Sequence, residues 1–448
     1  MSNKVPTSFI IIIGLMLFAL FFGAGNLIFP PMLGQMAGNH VWIANAGCLV
    51  TGVGLPLLAI TAFVFSGEND LQSLASRVHP VFGIVFTIVL YLAIGPFYAI
   101  PRSGNVSFEI GIKPFLSHDA GSVALTVFTI LFFTVTCLLS LNPTKIIDIV
   151  GKILTPIKLT VIGMLVVVTF IHPIGRIQAP IELYASDSFF KGFQEGYLTL
   201  DALGAFVFGI IIVNAIREKG LRLKAAYDCL CKSNGYCCYT LSSYLYCPSY
   251  MGASSVEKLG RLNNGAEVLA KVSDYYFGSY GAIFLGVMIV VACLITSVGL
   301  ITACSSFFHK LFPKISYKKL AIILSVFSTL VANIGLTQLI KISIPVLITM
   351  YPIAITLIFL TFLHSVFNGR FEVYQGSLIL TFIFSSLDGL KVAGIESEII
   401  NNFLEHFLPL YSVGLGWGVP AIIGGVCGYV VSVLRKKNTL SSSEISIK

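Results

Sequence analysis

The chain has 448 residues, of which 56% are hydrophobic and only 11% charged, with a formal net charge of +8. An ordinary soluble chain carries roughly 25% charged residues, and apolar runs long enough to span a bilayer recur here along the whole length. A soluble protein, and a separate soluble domain, are therefore excluded. The positive balance is what basic cytoplasmic loops supply, so no nucleic-acid partner is needed to explain it.

Hydropathy and helix breakers predict about twelve transmembrane helices, near 8–30, 41–65, 81–101, 122–141, 147–171, 192–216, 229–252, 279–307, 318–336, 341–364, 374–390 and 411–434. Lys4 followed by an apolar run resembles the start of a signal peptide, but the run continues into more apolar sequence, so a cleaved leader is not expected. The first span contains Phe21-Phe22-Gly23-Ala24-Gly25-Asn26-Leu27-Ile28-Phe29-Pro30-Pro31. Glycine and proline at bilayer depth release backbone groups from the helix ladder. Membranes tolerate this where those groups line a cavity or are buried in protein. The sixth span has the same character, with Gly192, Gly196, Gly204 and the carboxylate Asp201.

Interrupted helices at matching places in two halves point to a midplane binding site between inverted repeats. The expected layout is one transporter domain with repeats at about 8–171 and 192–364. Two extra helices follow over about 374–434, and the Ser-rich tail 438–448 is expected to be disordered. The competing reading of the glycines is tight helix packing. In the eighth span, Thr296 and Ser297 either cap their own turn through the i−4 carbonyl or present two hydroxyl oxygens to sodium.

Ionisable residues inside the fifth and sixth spans are Lys158, Glu195 and Asp201, and such residues usually face a cavity. Asp201 either binds a substrate ammonium or coupling ion, or caps the second half of its helix. Glu195 lies nearer the outer end. Lys158 either carries a proton or snorkels to the cytoplasmic surface.

With both termini inside, basic residues concentrate in segments such as Arg217 to Lys224, Lys310 to Lys319 and Arg435 to Lys437. Fewer fall outside, among them Arg102, Lys113, Arg176 and Lys191. That bias predicts cytoplasmic termini. The histidines are scattered, and neither a nucleophile constellation nor a channel filter is visible, so neither an enzyme nor a channel is expected.

Several stretches resemble the bacterial branched-chain amino acid:cation symporters, the BrnQ-type carriers. They are Phe-Phe-Gly-Ala-Gly-Asn-Leu-Ile-Phe-Pro-Pro-Met at 21–32, Arg77 to Gly83, Ile94 to Arg102, Val106 to Glu109, Ser140 to Pro143, Gly151 to Pro156, Glu195 to Leu203 and Gly299 to Cys304. The resemblance implies an all-α inverted-repeat fold of the leucine-transporter type in the bacterial plasma membrane. It also implies import of leucine, isoleucine and valine with sodium or protons as coupling ion and no cofactor. It points to substrate contacts at Gly23, Ala24, Gly25, Asn26, Tyr197, Leu198, Thr199 and Asp201. Tyr91, with Tyr98 second, is implied to reach the substrate carboxylate. Sodium is implied between carbonyls near Ala19 and Phe22 and the hydroxyls of Thr296 and Ser297, and Lys158 or Asp201 would carry a proton instead. The same fold could carry another small neutral solute.

The stretch 227–251 departs from the family pattern. It holds Cys229, Cys231, Cys237, Cys238 and Cys247 and many tyrosines where an ordinary apolar seventh helix is expected. We read it as a local reading-frame disturbance, which leaves an inactive family member as an alternative.

Overall fold

The computed structural model describes residues 6–68, 70–116, 121–141, 155–208, 223–395 and 398–445. Helices α1 (Thr7–Phe21) and α2 (Ala24–Ala37) are the halves of the first predicted span. Helices α3 (Val41–Leu49) and α4 (Leu55–Ser66) form the second and are joined by a π-helical turn, with the short α5 (Leu71–Ser76) after them. Next come α6 (Pro80–Leu92), α7 (Ala99–Gly111), α8 (Gly121–Ser140) and α9 (Thr155–Ile171). Helices α10 (Ser188–Leu198) and α11 (201–208) are the halves of the sixth span. The remainder are α12 (Leu223–Leu259), α13 (Gly265–Leu311), α14 (Tyr317–Ala332), α15 (Leu336–Phe362), α16 (Phe371–Val392), α17 (Glu398–Phe407) and α18 (Gly418–Ile445). No strand occurs among the described residues, and seven segments there are long and apolar enough to cross a membrane.

Burial separates an inner from an outer set of helices. The most apolar part of Ala24–Ser66 is 72% buried, against 28% in Val123–Ser140 and 22% in Gly418–Arg435. The outer helices expose Val127 and Leu131 on α8, Ile323 and Val326 on α14, and Ile422 and Val426 on α18. A helix that is apolar all round fits lipid on one side and protein on the other. Inside, α12 packs on α1 and α2, α7 on α13, and α10 on α3, while α16 packs between α15 and α18.

Two predicted boundaries shift. The third span, expected to end at 101, bends through a π-helical turn at Ala93–Phe97 and continues as α7 to Gly111. Its second part reads as polar because it is buried in protein rather than lipid: Arg102, Ser103, Asn105 and Ser107 are all in the core. Arg102 is thus not an outer-loop residue. The eighth span begins where expected, after the break at Gly278 (φ +60°), and the separate helical stretch before it starts at Gly265, where Asn264 accepts a capping bond from the Glu267 amide. The last helix runs from Gly418 to Ile445, past the expected end of its span at 434.

The unusual stretch 227–251 lies within the continuous helix α12. Leu230, Cys237, Leu241 and Leu245 are buried, at helical spacing. Ser233 donates to the Ile10 carbonyl at 2.9 Å, and Asn234 donates to Thr61 at 3.0 Å. Tyr250 stacks on Trp42 and Phe170, and Tyr244 packs edge-on against Phe18 and Phe22. The small cysteines and serines are compatible with close helix approach.

Candidate functional site

The first break is built locally. Phe22 (ψ 80°) leaves the helical region, and Gly23 is extended at φ −105°, ψ −164°. The turn frees the Phe21 carbonyl from its helical partner. Two donors replace that partner: the Gly23 amide at 2.8 Å and the side-chain amide of Asn26 at 2.6 Å. A buried carbonyl needs such a partner in a membrane. Asn26 is itself fully buried.

The second break is built differently. Leu200 sits at φ +68°, a left-handed conformation that is a real outlier for a bulky residue. Thr199 Oγ1 donates to the Gly196 carbonyl at 2.8 Å and accepts from the Asp201 amide at 3.4 Å, which caps the start of α11. The carbonyls of Leu198 and Thr199 are bonded from another helix. Arg102 on α7 donates from Nη1 to Leu198 O at 2.5 Å and from Nη2 to Thr199 O at 3.1 Å. Its guanidinium also lies 5.3 Å from the Phe29 ring centroid.

The two breaks touch at Gly25. A Cβ there would lie 2.8 Å from both the Thr199 carbonyl oxygen and Arg102 Nη2. Only glycine lets these backbones approach so closely. Between them lies a cavity whose walls include Gly23, Ala24, Gly25, Thr199, Asp201 and Thr296, all expected from the sequence. Phe21, Ile94, Leu200, Phe208 and Leu300 make its apolar surface, and Arg102 its cation.

The other expected residues sit around this cavity. Asn26 is beside the Asp201 carboxylate. Tyr197 is buried and stacks on Tyr351 of α15 at 4.4 Å, and Leu198 offers its carbonyl to Arg102. Phe22 is fully buried beside the break, and Ala19 lies one turn earlier on α1. Thr296 Oγ1 donates to the Ala292 carbonyl at 3.2 Å, the local bond the sequence allowed, while its methyl faces Gly23. Ser297 Oγ is buried with no hydrogen-bond partner among the described residues.

Tyr91 does not line the cavity, and its ring stacks on Phe307 at 4.1 Å. Tyr98 sits at the start of α7. Glu195 pairs with Lys191 at 3.2 Å. Lys158 belongs to α9, but its side chain lies outside the described residues, as do 147–154 and 209–216 of the predicted spans.

Sequence reasoning missed Arg102, Tyr351 and the buried Asp388 of α16. The signal for Arg102 was present. Residues 99–111 carry small and polar side chains too dense for a lipid-facing helix, directly after a Gly-Pro bend.

A model of the branched-chain amino acid transport protein family matches residues 7–435. The chain belongs to that family. It is 72% identical over 440 residues to the branched-chain amino acid permease BrnQ of Bacillus subtilis (strain 168), which covers 98% of this chain and 100% of that one. It is 49% identical over 434 residues to the permease BraB of the same organism, with 97% of each chain covered. The family is one of transporters, not enzymes. Among solved structures it is similar to Mhp1, a nucleobase-cation-symport-1 family transporter in a closed conformation with bromovinylhydantoin bound. The TM-score is 0.64 over 96% of this chain and 93% of that one. At 11% identity this likeness concerns fold alone, and the fold is the all-α, leucine-transporter-like one that the resemblance implied.

Proposed function

We propose that this chain is a secondary active symporter that imports leucine, isoleucine and valine by alternating access. It would work in the bacterial plasma membrane with both termini cytoplasmic. The observation that carries the substrate class is the whole-length relationship to permeases named for branched-chain amino acids. The cavity is consistent with it, since apolar side chains line it beside one cation and one carboxylate. Sodium is the favoured coupling ion, supported by the buried, unpartnered hydroxyl of Ser297. The Phe22 and Ala19 carbonyls would complete an oxygen shell. Asp201 and Lys158 are the proton-carrying alternative. The moving unit would be the pair of repeats at about 8–171 and 192–364, each opening with a broken helix.

Uptake of labelled leucine into proteoliposomes tests this under an imposed sodium gradient, with choline and pH-gradient controls. Sodium-driven uptake competed by isoleucine and valine is expected. Uptake driven by protons alone would move coupling to Asp201 or Lys158. No uptake under any gradient would overturn the transport reading.

A further inference from the structure

We infer that Arg102 and Asp201 form a clamp for a zwitterionic α-amino acid, with Arg102 receiving the carboxylate and Asp201 the ammonium. This rests on the proposed reading of the cavity as an amino-acid site and names the groups that recognise the substrate's charged end.

Both side chains are 6% exposed, both line the cavity between the broken helices, and they lie close enough to interact electrostatically. Charged groups at such depth are expensive and normally fully paired. Here the pairing is incomplete at one atom of each. Arg102 Nε and Asp201 Oδ2 have no hydrogen-bond partner among the described residues. Such buried atoms require an explanation.

An α-amino acid supplies what both lack. Its carboxylate accepts from the unpartnered Nε–H of the guanidinium in a charge-assisted bond. Its ammonium carries three donors for a carboxylate oxygen. The two substrate charges sit on one carbon and sum to zero, as do Arg102 and Asp201, so loading adds no net charge to a dry cavity. The side chain then has Phe21, Ile94, Leu200, Phe208 and Leu300 to pack against.

The geometry gives Arg102 a second consequence. Its Nη atoms hold the Leu198 and Thr199 carbonyls of the sixth-helix break. A carboxylate on Arg102 therefore contacts the same guanidinium that sets the shape of α10 and α11. Arginine thereby occupies, from α7, the role for which the resemblance implied a tyrosine.

The test compares leucine, leucinamide (no carboxylate) and 4-methylpentanoate (no amine) as competitors of labelled leucine uptake in proteoliposomes. Wild type, Arg102→Gln, Arg102→Lys and Asp201→Asn are measured. In wild type, leucinamide and 4-methylpentanoate should each compete about 100-fold more weakly than leucine, because either leaves a buried charge unpaired. Arg102→Gln should raise the leucine KM by a similar factor and bring the leucine-to-leucinamide preference within a few-fold. Arg102→Lys, which keeps the charge but loses the Nε–H, should fall between them. Asp201→Asn should instead relax the preference against 4-methylpentanoate.

Arg102 variants that insert normally and keep both the leucine KM and the leucinamide discrimination would overturn the clamp while leaving leucine transport standing. Absence of leucine uptake by wild type would overturn both. If Arg102→Gln fails to reach the membrane, wild type still decides. Equal competition by leucinamide overturns the clamp, and a hundredfold preference for leucine supports it.

Discussion

In the first helix break the freed Phe21 carbonyl is bonded by Asn26, five residues along the same chain. In the sixth, the Leu198 and Thr199 carbonyls are bonded by Arg102, nearly a hundred residues away. One break is made by glycine in an extended conformation, the other by a leucine held at φ +68°. The first is thus bonded by its own neighbours, whereas the second is bonded both by Thr199 and by Arg102 from α7. A carrier that rocks one group of helices against another can keep the first site fixed and change the second by moving α7. The difference also predicts unequal responses to substitution.

The largest effect is expected where the two breaks meet. Gly25→Ala would place a Cβ 2.8 Å from the Thr199 carbonyl oxygen and 3.0 Å from Thr199 Cα, both backbone atoms that do not yield cheaply. Overpacking costs about 1–3 kcal/mol or more. Displacing both breaks should reduce leucine uptake about 100-fold, the equivalent of ~2.7 kcal/mol. Uptake per inserted molecule is the readout, and a value within twofold of wild type would show that the breaks do not touch during transport.

The next pair of substitutions compares the breaks directly. Asn26→Ala removes one of the two donors to the buried Phe21 carbonyl and also the amide beside the Asp201 carboxylate, at an expected combined cost of about 1–3 kcal/mol. Thr199→Val removes the cap of α11, worth about 0.5–2 kcal/mol. It leaves the Arg102 bonds in place, so it should be the milder change. Thermal unfolding midpoints in detergent should rank them in that order, and the reverse ranking would mean that the sixth break depends on its own residues after all.

That asymmetry also explains what was legible in the sequence. Gly23, Gly25 and Asn26 announce the first break because the residues that make it and satisfy it are neighbours. Asp201 and Thr199 could be placed at the second for the same reason. Arg102 was missed because hydropathy reads polar residues after a bend as the end of a span; their density over 99–111 was the available signal, and packing against α13 shows that α7 continues inside the protein. Leu200 carries no signal at all, since nothing about a leucine predicts a left-handed conformation imposed from elsewhere. In α12 the unusual stretch is helical, and Ser233 and Cys237 are buried in a helix contact.

A smaller effect is expected outside the membrane-spanning segments, between α5 and the end of α13. Asp70 caps α5 through the Ser73 amide at 2.8 Å and pairs with Lys310 at 2.8 Å. Burial pushes its carboxyl upward, but the bonds from Lys310 and Ser73 outweigh this and hold it below the ordinary value of 3.8. A carboxylate lowered in the folded state adds stability that is fully present above the unfolded value and is lost as pH falls through the folded one. Acid should therefore loosen this contact below about pH 4. Asp70→Asn should flatten that part of the pH–stability curve, by less than ~1 kcal/mol for so exposed a pair. An unchanged curve would show that the contact contributes nothing.

The smallest effect is expected at Tyr91, and it bears on the comparison of the breaks through α7. The sequence puts Tyr91 inside the third span and Arg102 just beyond its end, and the bend at Gly95 lies between them. Arg102 lines the cavity, and Tyr91 stacks on Phe307 away from it. Tyr91→Phe keeps that stacking and removes only the hydroxyl. Substitutions away from a functional feature change energies by roughly 0.5 kcal/mol or less, so the leucine KM should stay within about twofold of wild type. A tenfold rise would move carboxylate recognition from α7 to α6, and Arg102 would then serve only to hold the sixth helix open.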